Sequence, residues 1–429
     1  RGPINAGGEL NMTVGRNLID NADRQVIEHL AAPAGSVDAS LFGAMQAGRI
    51  KIVSTAEGAG VRVSARQVQA RDGIEVSSAG ALEITGTAEH PSQILTELGD
   101  LDLKAADDLS LSAVHAKAQH IRASAGKNLT LDTRMRESIN RDRENRENKW
   151  LFVTTETYNR ETTRTDRKQV TTELKATQDI SLDAGQDLLL TAATVEADGD
   201  LSLKAQNALE IAAGIDSHQI DEQIRHRKHL WRGDKDSSHF EETANVSALS
   251  GKQVSFESGG RTQILGSTIN STGDITLKAG ALEVAEVSLN NSNNAKDYRG
   301  DLASGTFFGK NGKTQASGKT ASGSTIEAGG ALTVVADQVQ IKGSKVKSQG
   351  DALLVSEKGL LSVESAQSQS SLIQSDNDSK LFGLIGEKTK YQEQHTDVLI
   401  SDLASETNLR LASADELKVI GAKVSAKQQ

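Results

Sequence analysis

Gly99-Asp100-Leu101-Asp102-Leu103, Asp107-Asp108-Leu109-Ser110-Leu111 and Lys127-Asn128-Leu129-Thr130-Leu131 are three copies of one short unit. A Gly, Asn or Asp stands ahead of the first apolar residue, and apolar and polar residues then alternate. Alternation is the period of a half-buried strand, and the leading residue suits a corner that visits left-handed backbone angles. The unit returns in Asp179-Ile180-Ser181-Leu182, Asp187-Leu188-Leu189-Leu190, Gly199-Asp200-Leu201-Ser202-Leu203 and Gly273-Asp274-Ile275-Thr276-Leu277. Later copies are Gly330-Ala331-Leu332-Thr333-Val334, Gly350-Asp351-Ala352-Leu353-Leu354-Val355 and Thr407-Asn408-Leu409-Arg410-Leu411. Positions 109 and 129 lie 20 apart, 254 and 275 lie 21 apart, and 332 and 353 lie 21 apart. About 21 residues therefore make one coil, room for two or three short strands with corners between them. Coils stacked in register make parallel sheets with aliphatic ladders inside, so the expected fold is an all-β solenoid, a parallel β-helix.

A longer period lies over the first. Four polar stretches lack the short unit, near 134–173, 214–246, 288–324 and 367–397, with starts separated by 80, 74 and 79 residues. Each carries one apolar island: Trp150-Leu151-Phe152-Val153, Leu230-Trp231, Thr306-Phe307-Phe308-Gly309 and Leu381-Phe382-Gly383-Leu384. Both Trp and four of the seven Phe fall in these islands, so the scarce aromatics are reserved for them. The super-repeat is about 77 residues, two coils of shaft and one polar extrusion. Residues 1–133 show the shaft unit without such extrusions and are expected to form one segment, residues 134–429 another. The run 134–173 holds 10 bases and 8 acids. Residues 134–149 suit a helix, but the Thr-rich stretch 153–170 favours extended chain, and a β extension leaving the shaft is the preferred expectation.

Composition agrees with a thin core. The 429 residues include no Cys, 3 Pro and 3% aromatics, and 36% are hydrophobic, mostly Ala, Leu, Val and Ile. Such a chain can bury a narrow aliphatic core, as a one-dimensional repeat does, and not a thick globular one. With 58 acids against 48 bases the net charge is −10, which disfavours a general nucleic-acid binder. A disulfide framework is excluded, although a secreted fibre can manage without one. No run approaches the roughly 18 apolar residues that span a bilayer, and no signal peptide is seen. The chain begins at Arg1 without Met, as a piece of something longer does.

The run Ser36-Val37-Asp38-Ala39-Ser40-Leu41-Phe42-Gly43-Ala44-Met45-Gln46-Ala47-Gly48-Arg49-Ile50, followed by Ser54-Thr55-Ala56-Glu57-Gly58-Ala59-Gly60-Val61, carries a resemblance. It is similar to a segment of filamentous-haemagglutinin-like exoproteins, the surface fibres of Gram-negative bacteria exported by two-partner secretion. Contact-dependent growth inhibition toxins are among them. The aromatic-Gly islands, most clearly Lys380-Leu381-Phe382-Gly383, resemble the haemagglutinin repeats of the same proteins. The resemblance implies a right-handed β-helix and export through an outer-membrane partner transporter. It also implies a secreted protein projecting from the outer membrane, and adhesion or toxin delivery at the surface of a host or neighbouring cell.

Four motifs that imitate chemistry have plainer readings. Asp107-Asp108 matches the paired acids of a polysaccharide hydrolase, but Asp100, Asp179, Asp187, Asp200, Asp274 and Asp351 occupy the same pre-strand corner. Gly312-Lys313-Thr314 and Gly318-Lys319-Thr320 lack the Gly that a phosphate loop needs five positions before its final Gly; those places hold Phe307 and Lys313. His218, His226, His229 and His239 lie among Arg225, Arg227, Lys228 and Arg232, which oppose a cation. Gly7-Gly8, Gly259-Gly260 and Gly329-Gly330 lack the remainder of a calcium-binding nonapeptide. No catalytic residue, metal or cofactor is expected.

The expectation is a non-enzymatic shaft, with a β-helical polysaccharide lyase or hydrolase as its rival. Trp150, Phe152, Trp231, Phe307, Phe308, Leu381 and Phe382 are the candidate interaction residues. They either form a row of exposed patches on successive extrusions or fold down to cover a sheet face. Without the extrusions roughly 280 residues remain, about 13 coils and a rod on the order of 65 Å long at about 4.8 Å per rung.

Overall fold

The computed structural model describes residues 3–20, 26–30, 37–41, 43–301, 308–380 and 384–427. Every helix or strand among them is a strand, and no helix is long and apolar enough to cross a membrane. Each coil contributes three short strands, exemplified by Leu101–Ala105, Leu109–Ser112 and Val114–Ala118. All three pair in parallel with their counterparts one coil away: Leu101 sits beside Ile121, Leu109 beside Leu129, and Ser92 beside Val114. The chain is thus a parallel β-helix with three faces. Two strands, Ile275–Ala285 and Leu332–Lys342, run through the corner between the first two faces without a break and join those faces into one sheet. The third face is a sheet of 13 strands, which at about 4.8 Å per strand makes a shaft on the order of 60 Å long.

The alternation seen in the sequence explains the core. Ile50, Ile74, Leu101, Ile121, Ile180, Leu201, Val254, Ile275 and Leu332 form one inward ladder, each directly above the last and each buried. Val68, Ile94, Ala116, Leu174, Val195, Leu249, Ile269, Ile326, Val346 and Leu403 form another on the third face. Full burial of such a side chain is worth about 1.5–3 kcal/mol, and every coil also satisfies the open edge of its neighbour. Phe256 is the one aromatic side chain in this core among the described residues. The SVDAS-to-AGRI segment belongs to it too. Met45, Ala47 and Ile50 are buried, while Ser36 and Phe42 lie outside the described residues.

The four polar stretches are β-hairpins: Arg134–Trp150 with Val153–Val170, Gly214–Lys228 with Trp231–Asn245, Val287–Asp301 with Phe308–Ser322, and Ala366–Lys380 with Ile385–Leu399. Strand, not helix, is therefore the state of residues 134–149. All four hairpins leave from one corner, between the second and third faces. In the intervening coils this corner is a single left-handed residue: Ala113 (φ 52°), Ala192 (46°), Gly266 (56°), Gly343 (55°) and Gly421 (60°). Plain corner and hairpin thus alternate coil by coil, which is the origin of the 77-residue super-repeat. A short antiparallel pair, Arg16–Ile19 with Val26–Leu30, also leaves the shaft near its start.

Neighbouring hairpins pair edge to edge. Val153–Val170 is antiparallel to Gly214–Lys228, Trp231–Asn245 to Val287–Asp301, and Phe308–Ser322 to Ala366–Lys380. The result is one eight-stranded antiparallel sheet alongside the parallel shaft. Two coils rise about 9.6 Å, the width of two strands, so one hairpin per two coils fills this side sheet without gap or overlap.

Candidate functional site

At the hairpin roots the corner is held by buried hydroxyls. Ser324 donates to the carbonyls of Ala285 (2.7 Å) and Ile264 (2.9 Å) and accepts from the Ser267 amide at 3.2 Å. The Ser324 amide donates to Ser344 at 3.1 Å, and the Ser344 amide to Ser401 at 3.3 Å. Thr172 and Ser247 hold the same station lower down, each taking an amide from the adjoining coil. This ladder offsets the backbone polar groups that a corner would otherwise leave unpaired. Sequence inspection missed it because Ser is common throughout the chain; its recurrence just before the third-face strand was the available signal.

Over their backbone ladders, the first two seams between hairpins are joined by charged and polar side chains. Between the first and second, Arg160 donates to Glu222 at 2.7 Å, His226 pairs with Glu156 at 2.8 Å, and His218 with Asp166 at 2.5 Å. The hydrogen bonds from His226 and then Asn148 hold the Glu156 carboxyl below its ordinary pKa. Between the second and third, Glu242 accepts from the Asn290 backbone and side chain at 2.7 and 2.8 Å, and Arg232 lies over the Tyr298 ring at 5.8 Å. Burial, then Asp301, raises the Tyr298 phenol.

The apolar islands sit at the hairpin ends remote from the shaft. Trp150 is 70% exposed, Phe152 fully so, Trp231 57% and Phe308 50%. Trp231 and Phe308 stack across the second seam with ring centroids 6.3 Å apart. Leu151, Val153, Leu230, Leu384 and Ile385 are exposed beside them. Phe307, Leu381 and Phe382 lie outside the described residues. Just behind this edge is a cavity of about 650 Å³ lined by Tyr158, Ile224, His226, Trp231, Tyr298 and Arg299 among others.

The chemical look-alikes are dispersed by the fold. Asp108 accepts from the Asn128 amide and side chain, Asp107 pairs with Lys127 at 2.8 Å, and Asp351 accepts from Thr407 and Asn408. These bonds lower the Asp351 pKa, Thr407 contributing most. The corner acids thus rivet one coil to the next, and Asp107 and Asp108 face their structural partners. Lys313 and Thr314 lie within a strand paired on both sides, where no loop can cradle a phosphate. His218, His226 and His239 engage separate carboxylates, and His229 occupies a left-handed turn position. Among the described residues no three His, Asp or Glu converge as metal ligands do.

The family model described as Hemagglutinin repeat matches residues 2–148, 151–228 and 305–429. Two curated relatives are each named Hemolysin. One, from Serratia marcescens, is 25% identical over 91% of this chain and 26% of its own length. The other, from Proteus mirabilis, is 23% identical over 99% of this chain and 28% of its own. The chain thus spans about a quarter of the length of these relatives. No solved structure matches. The repeated coils, the hairpin sheet and the match over most of the sequence place the chain in the hemagglutinin-repeat family of filamentous-haemagglutinin-like exoproteins.

Proposed function

We propose that this chain is a structural shaft segment of a secreted, cell-surface exoprotein, serving adhesion or contact-dependent toxin delivery to neighbouring cells. Export runs through an outer-membrane partner transporter, and the chain itself carries out no catalysis. The observation that carries this reading is the unbroken 13-rung parallel stack with its side sheet of hairpins, a form suited to reach and presentation. Residues 1–133 act as the shaft below the hairpins, and residues 134–429 as the part that presents them. Trp150, Phe152, Trp231 and Phe308 are the contact residues, and Phe307, Leu381 and Phe382 join them from sequence. Coil-by-coil stacking also suits folding outside the cell, since each emerging coil finds a finished edge to pair with.

The test is to excise one super-repeat, residues 193–266, from the full-length exoprotein. Ala192 is then followed by Ser267, and a plain-corner coil is still succeeded by a hairpin coil. The shortened protein should still be exported and folded, with the shaft about 10 Å shorter. Removing further repeats should progressively weaken adhesion or delivery. Undiminished contact activity in a chain stripped of all four hairpin repeats would refute the role, as would uronate-polymer cleavage by the purified segment.

A further inference from the structure

Three features of the outer hairpin edge converge. The first is apolar display. Trp150, Leu151, Phe152, Val153, Leu230, Trp231, Phe308, Leu384 and Ile385 are all exposed. Register places them together: Lys228 pairs with Trp231, Trp231 with Asp301, Phe308 with Lys380, and Lys380 with Ile385. Strands of 15 residues or more hold this edge about 50 Å from the shaft, and four hairpins about 10 Å apart set it out as a row in which the first turn projects three residues beyond the second, Glu156 being level with Lys228.

The second is backbone strain. Leu151 (φ 42°) and Phe152 (φ 68°) are both left-handed, in the two-residue turn between Trp150 and Val153. Such a turn suits Asn-Gly, and two bulky apolar residues are costly there. The conformation leaves Phe152 wholly in solvent. A chain selected for stability alone has no use for that arrangement.

The third is charge. Residues 224–235, 296–301 and 308–313 carry nine Lys or Arg against three Asp, in a chain of net charge −10. Arg225, Lys228, Arg232 and Lys235 are ion-paired, whereas Arg227, Lys296, Arg299, Lys310 and Lys313 have no carboxylate within ion-pair distance among the described residues. A basic collar behind Trp231 and Phe308, at the centre of the row, has the composition of a surface that rests in the bilayer interface, aromatics at headgroup depth and cations on anionic lipid.

We infer that the free edge of the hairpin sheet is a membrane-docking edge, seating its tips in the headgroup region of a bilayer that contains anionic lipid. The inference rests on the chain's reading as an extracellular presenting shaft and names the surface it meets. Trp150 and Trp231 are the only tryptophans in the sequence, so intrinsic fluorescence reports on this edge without a label.

The 429-residue chain is titrated with phosphatidylcholine vesicles with and without about a third phosphatidylglycerol. Shallow and deep brominated lipids serve as quenchers. Docking shifts Trp emission to the blue on the anionic vesicles, with quenching by the shallow label and weakening as salt is raised. The double substitution Leu151→Asn, Phe152→Gly supplies a favoured turn, so the fold is kept while binding falls about tenfold or more. Three results overturn the inference: unchanged emission on anionic vesicles, undiminished binding by the turn variant, or quenching by soluble oligosaccharides in place of vesicles. Small-angle scattering on the same samples separates the two readings. An elongated particle that ignores vesicles sinks the docking edge alone, and a compact particle sinks the shaft.

Discussion

Where a hairpin leaves the shaft, the space at the neighbouring corner is tight enough that a single methyl group matters. At three of the left-handed corners the first residue of the next hairpin stands opposite, and one of the two is Gly. Ala192 faces Gly214, Gly266 faces Val287, and Gly343 faces Ala366. A Cβ on Gly214 would lie 2.9 Å from that of Ala192, one on Gly266 would lie 2.5 Å from Val287 Cγ1, and one on Gly343 would lie 2.5 Å from Ala366 Cβ. The station at Ala192 shows that Ala tolerates the left-handed angle here, so the obstacle at Gly343 is the neighbour. Gly343→Ala alone should cost about 1–3 kcal/mol through overpacking. Adding Ala366→Gly recreates the arrangement at Ala192 and Gly214 and should recover much of that loss. A double-mutant cycle in urea measures the coupling, and strictly additive effects would show that backbone strain, not contact, sets the cost.

At the scale of strands and hairpins, the seams are the weaker link: they share a backbone ladder with the rest of the sheet, but the side chains over it are mainly exposed or half-exposed and polar, whereas the shaft adds buried apolar ladders. Glu156 has a depressed folded pKa, owed first to His226 and next to Asn148. A carboxyl of this kind lends stability above its unfolded pKa, and that contribution vanishes as pH falls through the folded value. Acidification below the ordinary carboxylate range of about 4 should therefore open the seam between Val153–Val170 and Gly214–Lys228 before the shaft loosens. Hydrogen exchange, corrected for its intrinsic pH dependence, checks the order, and Glu156→Gln should flatten the response. Coil and hairpin differ equally in how plainly the sequence announces them. The Leu101, Leu109 and Leu129 units repeat a buried apolar alternation, and slipping by one residue would turn that alternation outward, so register can be read from the residues themselves. Each polar stretch likewise stands out by lacking it, with Trp150 or Trp231 marking its turn. The lateral pairing of Tyr158 with His226, or Gly233 with Arg299, joins residues more than 60 positions apart on strands that are polar on both faces. No local alternation specifies such a register, and only the shared corner and the spacing of the coils bring those strands together.

Across the whole molecule that spacing is a matching condition: a hairpin is two strands wide, two coils of shaft rise by the same distance, and so parallel and antiparallel sheets grow side by side at one rate. The condition can be broken on purpose. Replacing residues 213–246, the second hairpin with one flanking residue at each end, by a single Gly converts its coil to the plain-corner form. The new corner then copies the one at Leu265-Gly266-Ser267. The buried ladders from Leu201 to Val254 and from Leu209 to Thr262 are untouched, so the shaft should persist. The first and third hairpins then stand about 20 Å apart at their roots, with a gap two strands wide between their facing edges. Val153–Val170 loses Arg160's bond to Glu222 and His226's bond to Glu156, and Val287–Asp301 loses Glu242's bonds to Asn290. Amide protection should fall in both strands, first at the amides that faced the second hairpin, while that of Leu101–Ala105 and Leu201–Ala205 stays high. If protection survives there, pairing within the first hairpin, and pairing of the third with itself and with the fourth, is enough, and the seams to the second hairpin are only a consequence of crowding. If the shaft melts as well, the hairpin sheet is what clamps successive coils together, and the coil ladders are too weak to stand without it.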